Sequence, residues 1–272
     1  MASLSQDISF GLSILIPSWN NLSYLKMLIE SIRLHSSIKT HQIIVHINEG
    51  TDGTLEWVKE QPNIEFTFSK ENIGICKAMN QAFLLVKRPL TIYMNDDMYA
   101  LPDWDKELMV FAEEYALESD KTWLSGTMVE PTGNNICCLA PRNYGTDLES
   151  FNEVGIIKDT FILKEQTRNS QGATWPPCIL SKNLWEKVGG YSEEFSPGFG
   201  SDPDLAKKIY DIGVRNFIQC GRSLVYHFVC KTTQVKNFQH NDGEQTFLEK
   251  YGMSINNFVH LTLRRGSLWP KT

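Results

Sequence analysis

The sequence predicts an α/β protein whose doubly wound, mostly parallel central sheet carries helices on both faces. Short apolar runs alternate with amphipathic segments through the first half of the chain, which is the pattern of repeated β-loop-α units. Right-handed crossovers return each strand to the same edge, so successive strands of this kind run parallel. With 272 residues, the chain has the length of one large domain or two small ones.

The first half contains four strands of this pattern. Leu25, Leu28 and Ile32 recur at helical spacing, which places one apolar face on the first long helix. Turn-forming residues follow the second strand at 48–54. We expect strands at 12–16, 42–47, 64–68 and 90–94, and helices at 23–35 and 75–87.

The second half is less regular. Residues 131–172 are rich in Asn, Gly and charge, which favours an irregular, substrate-facing insertion. Around it we expect helices at 105–118, 182–188 and 202–212, and strands at 123–129, 177–180, 216–219 and 223–227.

Composition narrows the class of protein. The chain has 26 Lys and Arg against 32 Asp and Glu, a net charge of −6, which disfavours broad binding to nucleic acid. Its six cysteines include no Cys-x-x-Cys pair, so we expect reduced thiols. No cationic leader precedes an apolar stretch, and no run reaches ~18 apolar residues. These features favour a cytoplasmic protein, either soluble or peripherally attached to a membrane.

Two adjacent carboxylates stand at the end of the fourth strand. Ligands of doubly wound sheets bind beyond the carboxyl ends of the strands, so the loops at 17–21, 48–54 and 95–98 are expected to converge. Asp96 and Asp97 repel each other there unless a cation or a strong donor set lies between them. Oxygen ligands suit Mg²⁺ or Mn²⁺. The pair therefore predicts a divalent metal site, with a solvated turn as the alternative.

Six segments, in order along the chain, resemble motifs of the family 2 glycosyltransferases of the GT-A fold. The fourth resembles the D-x-D motif, with Asn95 in its first position, and the fifth resembles the stretch that supplies the catalytic base. The resemblance runs from about residue 12 to residue 233. The segments are Ser13–Asn20, Asn48–Thr54, Asn72–Asn80, Tyr93–Asp97, Gly189–Leu205 and Tyr226–Thr233.

The resemblance implies a nucleotide-sugar donor, linked to UDP, GDP or dTDP, and an inverting transfer to an acceptor hydroxyl. It implies that Asp202 is the catalytic base and that Asp97 and His227 bind Mn²⁺ or Mg²⁺. A metal beside the diphosphate and a separate carboxylate for the proton fit this chemistry. The residues implied for donor binding are Pro17, Ser18, Trp19, Asn20, Glu49, Asn72, Gly74, Lys77, Asn95 and Asp96.

Several of these residues have a second interpretation. His227 also fits a buried, hydrogen-bonded histidine, Lys77 fits a solvated helix face, and Trp19 fits simple packing. Asp204 lies in the first turn of the helix that follows Asp202, where the helix dipole favours a carboxylate. Asp204 is therefore expected to cap that helix, and it is the second candidate for the base.

Two other functions compete with the enzyme. Asn95 and Ser201 replace acids of the family pattern, which favours a catalytically impaired protein that binds a nucleotide sugar or a glycan; the retained Asp202 argues against it. A sugar-1-phosphate nucleotidyltransferase needs a glycine-rich, cationic phosphate loop near the N-terminus. The segment Pro17–Asn21 contains no glycine and no basic residue, so that function is disfavoured.

The expected organisation is one GT-A domain at 1–230 followed by a tail at 231–272. Donor binding is expected at about 10–100 and the acceptor side at about 125–230, with 131–176 facing a glycan, glycolipid or other hydroxyl acceptor. The tail holds six Lys or Arg against three Asp or Glu. It is expected to pack as a terminal helix, with a lid, a dimer contact and peripheral membrane contact as alternatives.

Overall fold

The computed structural model describes residues 2–133, 136–229 and 241–270. Ten strands form its central sheet. They are β1 (Ser13–Trp19), β2 (Gln42–Asn48), β3 (Ile64–Ser69), β4 (Leu90–Tyr93), β5 (Met98–Ala100), β6 (Thr122–Val129), β7 (Cys138–Leu139), β8 (Ser170–Gln171), β9 (Cys178–Ser181) and β10 (Asn216–His227).

The helices lie between these strands and after them. They are α1 (Leu4–Ser9), α2 (Leu22–His35), α3 (Thr54–Lys59), α4 (Gly74–Phe83), α5 (Trp104–Glu114), α6 (Glu153–Gln166), α7 (Lys182–Val188), α8 (Ser201–Asp211) and α9 (Gly243–Tyr251). Short 3₁₀ turns span Ser119–Lys121 and Glu193–Phe195, and a π-helical turn spans Asn257–Thr262.

The strand order is β3-β2-β1-β4-β9-β6-β10-β5, with β7 beside β6 and β8 beside β10. The pairs among β3, β2, β1 and β4 are parallel, and so is the pair of β6 with β10. Strand β9 is antiparallel to both β4 and β6, and β5 is antiparallel to β10. The predicted α/β fold with a mostly parallel sheet is confirmed.

Both faces of the sheet are covered. In β1, Ile14 and Ile16 belong to one buried cluster, whereas Leu15 between them belongs to the other. Side chains of a strand alternate between faces, so this division shows a sheet with a core on each side. The continuous apolar run that predicted β1 is the expected signature of such a strand.

The expectation of an irregular segment at 131–172 is wrong for residues 153–166, which form α6. Ile156 and Leu163 of this helix are buried, but Val154, Phe161 and Ile162 are largely exposed. Because apolar side chains occupy both faces of α6, the sequence shows no helical periodicity there. The two strands expected at 216–219 and 223–227 form one strand, β10, whose register shifts between Gln219 and Leu224.

The tail packs against the domain over its described part. Phe247 of α9 and Phe258 are fully buried in the same cluster as Leu205 and Ile209 of α8. This arrangement agrees with the expectation of a packing helix. The segment Lys231–Thr233 of the last motif and the remaining residues up to 240 lie outside the described residues.

The cysteines and the helix lengths can be compared with the sequence expectations over the described residues. Cys76, Cys137, Cys138, Cys178 and Cys220 are free thiols there, whereas Cys230 lies outside the described residues. None of the helices in those ranges combines the length and the apolar character needed to cross a bilayer.

Candidate active site

A cavity of about 370 Å³ opens at the carboxyl ends of the central strands. Parts of all three loops that were expected to converge contribute to it, from the ends of β1 and β2 and from the turn after β4. The amino end of α4 and the loop before α8 close the remaining sides. The residues that line it are Pro17, Ser18, Trp19, Asn48, Asn72, Gly74, Ile75, Tyr93, Asn95, Asp96, Asp97, Pro197, Gly198, Phe199, Ser201 and Asp202.

The two adjacent carboxylates are buried in the cavity wall, with Asp96 6% and Asp97 3% exposed. Ser18 at the end of β1 donates a hydrogen bond of 2.8 Å from Oγ to Oδ2 of Asp96. Strand β1 lies beside β4, so the serine reaches the turn that follows its neighbour. This bond holds the Asp96 carboxylate against β1.

The Asp97 carboxylate faces a buried histidine. Oδ1 of Asp97 lies 3.4 Å from Nε2 of His227, and Nδ1 of the same ring lies 2.8 Å from Oε1 of Glu130. The sheet register produces this arrangement: Tyr226 pairs with Val129 in the parallel ladder, which brings the next residues, His227 and Glu130, side by side. The amide of Phe228 donates to the carbonyl of Asp97 and fixes the turn from the other side.

The two carboxylates control the charge of His227. Burial alone would lower the pKa of this imidazole, but hydrogen bonding and charge from Asp97 and Glu130 raise the pKa to about 10. The protonated ring neutralises part of the negative charge that Asp96, Asp97 and Glu130 concentrate at the ends of these strands. The geometry around His227 agrees with the alternative of a buried, hydrogen-bonded histidine.

The same atoms fit a divalent metal. Nε2 of His227 is buried, lies 3.4 Å from Oδ1 of Asp97 and has no second polar partner within 2–133, 136–229 and 241–270. No group of three or more His, Cys, Asp or Glu side chains in those ranges is arranged to hold a metal ion. One carboxylate and one imidazole suit an ion such as Mg²⁺ or Mn²⁺, which keeps waters and takes further oxygen ligands from a phosphate.

Asp202 occupies the first turn of α8 at the cavity wall. Gly200, with a φ of 87°, turns the chain into this helix, and Oγ of Ser201 donates to the carbonyl of Gly198. Oδ1 of Asp202 accepts a hydrogen bond of 2.8 Å from the hydroxyl of Tyr191. Burial raises the pKa of Asp202 to about 6, while the Tyr191 hydrogen bond lowers it. A carboxylate with this pKa is ionised at neutral pH but is a stronger base than an exposed aspartate.

Asp204 points away from the cavity and is fully buried. Its Oδ1 accepts hydrogen bonds from the hydroxyl of Tyr251 at 2.6 Å and from Nζ of Lys250 at 2.9 Å. Both partners belong to α9, so Asp204 joins the tail to α8. The expectation that Asp204 caps α8 is wrong, because its hydrogen bonds among the described residues go to the tail and not to the backbone at the start of that helix.

Three predicted donor-binding residues do not line the cavity. Asn20 and Glu49 follow Trp19 and Asn48, which do line it, and Nδ2 of Asn20 donates to Oε2 of Glu49 at 2.9 Å. Lys77 lies on the exposed face of α4, 3.7 Å from Glu193, and its side chain is 48% exposed. Its position agrees with a solvated helix face.

Sequence reasoning missed two residues of the site. Glu130 directly follows β6, a strand buried at all eight positions, and this place at the end of a buried strand could have revealed it. Tyr191 was noticed only as part of a motif, because its contact with Asp202 depends on tertiary packing. The remaining predicted donor residues, from Pro17 to Trp19 and from Asn95 to Asp96, with Asn72 and Gly74, all reach the cavity.

Comparison with protein families adds a match over the first part of the chain. Residues 13–125 match the family model of glycosyl transferase family 2. This segment contains the loops at the ends of β1, β2 and β4, whereas Asp202 and His227 lie beyond it. No curated protein sequence matches the chain significantly.

The fold is shared with solved structures of TarS from S. aureus. TarS 1–349 has a TM-score of 0.55 at 17% identity, over 80% of this chain and 60% of that chain. TarS 1–349 in complex with UDP has a TM-score of 0.57 at 15% identity, over 92% of this chain and 75% of that chain. A further crystal structure of TarS has a TM-score of 0.55 at 16% identity, over 80% of this chain and 36% of that chain. At these identities the likeness is one of fold, and the chain spans less than two thirds of the length of TarS 1–349 in the first of these comparisons.

Proposed function

We propose that this protein is an inverting glycosyltransferase that moves a sugar from a nucleoside diphosphate to an acceptor hydroxyl with the help of a divalent metal. One observation carries the proposal. A single cavity collects the carboxylate pair Asp96–Asp97 and the carboxylate of Asp202, which are distant in sequence. In such a cavity the Asp96–Asp97 pair can hold a metal-bound diphosphate, and Asp202 can accept a proton.

The donor side is formed by loops that belong to the family match. Pro17, Trp19 and Asn72 supply apolar and amide surface for a nucleoside, and Ser18 keeps Asp96 close to β1, where a ribose hydroxyl can reach its carboxylate. The TarS structure in complex with UDP makes uridine diphosphate the first nucleotide to test. GDP and dTDP stay in the comparison, because the base-reading contacts do not follow from this geometry.

Asp202 is proposed to act as the general base. Its carboxylate accepts the proton of the acceptor hydroxyl while that oxygen attacks the anomeric carbon from the face opposite the diphosphate. A bond forms between the acceptor oxygen and the sugar, and the bond to the diphosphate breaks with its electron pair. The configuration at the anomeric carbon is thereby inverted. The pKa of about 6 lets Asp202 begin the reaction ionised at neutral pH.

Asp97 and His227 are the residues that would hold Mn²⁺ or Mg²⁺. When bound, the ion neutralises negative charge on the departing diphosphate. Oε1 of Glu130 accepts a hydrogen bond from Nδ1 of His227, and this bond leaves Nε2 of the same ring facing Asp97. Asn95 is neutral and supplies no carboxylate to a metal. Asp97 is the carboxylate of this motif that lies beside His227.

A binding protein without catalysis is the competing function. It would need the cavity but not a base at the acceptor side. Asp202 is placed in the cavity and carries a pKa suited to proton transfer, and this supports the enzyme over the binding protein.

Of the three basic residues in the described part of the tail, Arg264 is exposed, whereas Lys250 and Arg265 give no support to peripheral membrane contact. Nζ of Lys250 lies 2.9 Å from Asp204 and 2.6 Å from Glu194. The guanidinium of Arg265 lies 4.0 Å from the centre of the Trp175 ring. Because both cations are engaged within the protein, we leave the acceptor open among glycans, glycolipids and other hydroxyl compounds.

A nucleotide-release assay tests the proposal. The protein is incubated with UDP-, GDP- and dTDP-linked sugars, Mn²⁺ and a panel of hydroxyl acceptors, and the freed nucleotide is measured. We expect release from one class of donor, lost in Asp202→Asn and retained in the surface variant Asp211→Asn. Failure of all three nucleoside diphosphates to bind, measured by calorimetry with Mn²⁺, would overturn the proposal.

A further inference from the structure

Within the described ranges, the proposed base has a single hydrogen-bond partner in the protein. Among the residues that the structure describes, the Asp202 carboxylate accepts one hydrogen bond, from the Tyr191 hydroxyl at 2.8 Å. Tyr191 is 2% exposed, so this hydroxyl has no access to bulk water as an alternative partner. The bond occupies Oδ1 of Asp202, while the residue still contributes to the cavity wall.

Tyr191 is itself held from α4. Oδ1 of Asn80 accepts from the amide of Tyr191 at 2.8 Å, and Nδ2 of Asn80 donates to its carbonyl at 2.8 Å. Asn80 therefore hydrogen-bonds both the N–H and the carbonyl of Tyr191, and these two bonds fix the backbone of Tyr191 relative to α4. The ring of Tyr191 also packs edge-on against Tyr93 and Trp185.

The turn before Tyr191 is built for this contact. Gly190 has a φ of 67°, and a Cβ atom at this position would overlap Oδ1 of Asn80 and Nε1 of Trp185. Glycine therefore serves both the backbone conformation and the close approach of the amide. Nζ of Lys208 in α8 donates to the carbonyl of Gly190 and, at 3.3 Å, to that of Val188. The turn is thus tied to the helix that carries Asp202.

Helix α4 connects this support to the donor side. Its first residues, Gly74 and Ile75, line the cavity, and Asn80 lies less than two turns further along the same helix. The element that forms one wall of the cavity therefore also holds the hydrogen-bond partner of the base.

We propose that Tyr191 is a positioning residue for Asp202 and that Asn80 anchors Tyr191, so that one carboxylate oxygen is fixed and the other is presented to the acceptor hydroxyl. This inference rests on the proposed function and deepens it. It assigns roles to a tyrosine and an asparagine that do not contact the reacting atoms. A buried tyrosine usually finds a partner for its hydroxyl, so the test must distinguish orientation from simple packing.

Electrostatics gives that distinction. The hydrogen bond from Tyr191 stabilises the ionised carboxylate and opposes the effect of burial, which raises the pKa of Asp202. Burial also raises the pKa of Tyr191 well above its usual value, so the hydroxyl keeps its proton and acts as the donor. Removing only this hydroxyl should move the titration of Asp202 to higher pH. A purely structural hydroxyl would leave that titration unchanged.

The experiment compares Tyr191→Phe with Tyr251→Phe. The second variant removes the same kind of hydroxyl from Asp204, two residues after Asp202, and is the matched control. The Asp202 carboxyl carbon is followed by ¹³C NMR during a pH titration, with Asp202→Asn identifying its signal. We expect the pKa of Asp202 to rise by about one unit in Tyr191→Phe, the scale of one hydrogen bond to a charged group, and to stay unchanged in Tyr251→Phe.

Activity provides the second readout. In Tyr191→Phe the acidic limb of the pH–rate profile should move upward by the same amount, and in Asn80→Ala kcat should fall at least tenfold while the affinity for UDP is kept. Asn80→Asp, which retains the shape but loses the donor to the Tyr191 carbonyl, replaces Asn80→Ala if that variant does not fold.

An unchanged titration of Asp202 in Tyr191→Phe would overturn the inference. Because the NMR titration needs no turnover, this failure is separate from a failure of the proposed function. The proposed function fails instead if Asp202→Asn retains full transfer activity, whatever Tyr191 does.

Discussion

The carboxylate of Glu130 lies 2.8 Å from Nδ1 of His227, where β6 and β10 end side by side. Both side chains are buried, with Glu130 8% and His227 7% exposed. A carboxylate in this position orients the imidazole and increases its strength as a ligand through Nε2. Glu130, which follows the buried strand β6, therefore adds a supporting residue to the predicted metal site of Asp97 and His227.

We therefore expect Glu130→Gln to weaken the binding of Mn²⁺ by roughly 10-fold to 100-fold, the usual range for a partner of a metal-binding histidine. Calorimetric titration of Mn²⁺ in the presence of UDP measures the affinity. Glu165→Gln, which removes an exposed carboxylate beside Arg222, is the control and should bind Mn²⁺ like the original protein. Equal affinities in all three proteins would contradict a role for Glu130 in metal binding.

Asp97→Asn should change the metal dependence of nucleotide binding in two opposite directions. Without metal, the Asp96–Asp97 pair repels a diphosphate, so the variant is expected to bind UDP more tightly than the original protein in EDTA. With Mn²⁺, the variant lacks the proposed metal ligand and should bind UDP more weakly than the original protein. Calorimetry measures the affinity of both proteins for UDP in EDTA and in Mn²⁺, and the order of the two affinities should reverse between the two conditions.

If Asp97→Asn and the original protein bind UDP equally in EDTA and equally in Mn²⁺, Asp97 has no part in the site. Asp120→Asn serves as the control: Asp120 accepts from Ser181 and Asn183 in a different part of the fold, and its removal should alter neither measurement.

Asp202→Asn should lower the rate of transfer by about 10² to 10⁴ without changing the affinity for UDP, because a deleted general base affects the chemical step. In the original protein, burial raises the pKa of Asp202 to about 6, and the ionised form is the one proposed to act as the base. The rate should therefore rise with pH through about 6 and level off above it. Measurements of kcat across pH 5–8 show this limb.

Asp204→Asn separates the two candidate bases. Asp204 is fully buried between α8 and α9, so its replacement is expected to lower stability and to leave the acidic limb of the profile in place. Loss of that limb in Asp204→Asn, together with normal transfer in Asp202→Asn, would move the base to Asp204.

How far the sequence predicts this protein depends on how local each feature is. Strands β1, β2 and β4 follow from their apolar runs, and the position of Asp96 and Asp97 follows from the end of β4, because chain order alone places these residues at one edge of a parallel sheet. Helix α6 could not be predicted, since its apolar residues lie on both faces.

Contacts between distant segments were also beyond sequence reasoning. The pairing of His227 with Glu130 requires the register of β10 against β6, and the pairing of Tyr191 with Asp202 requires the turn that Asn80 holds. The local hydrophobic pattern of the sequence determines neither this strand register nor this turn. Asp204 is a middle case: its place in the first turn of α8 was predicted, but its two partners in α9 depend on how the tail packs.

A buried histidine in β2 predicts how stability depends on pH. His46 is 0% exposed, and its ring nitrogens lie 2.7 Å from Oγ1 of Thr67 and 3.3 Å from Oγ of Ser69 on β3. Burial lowers its pKa from 6.5 to about 4, against a smaller opposing effect of a hydrogen bond with Asn48. The folded protein therefore keeps this ring neutral in a range where the unfolded chain binds a proton.

The sign of the effect follows from proton binding. Between pH 6.5 and about 4 the unfolded state holds more protons at His46, so the free energy of unfolding should fall as pH falls through this window. The loss from this one group reaches about 3 kcal/mol at the acidic end. Urea unfolding followed by tryptophan fluorescence at several pH values gives the free energy directly.

His46→Gln is the informative variant, because glutamine keeps polar atoms beside Thr67 and Ser69 but does not titrate. Other groups contribute equally to both proteins, so the difference between the two curves isolates His46. The variant should be less sensitive to acid between pH 6.5 and 4, even if it is less stable at pH 8. Parallel curves for the two proteins would mean that His46 already binds its proton in the folded state, and that β2 and β3 tolerate a buried charge there.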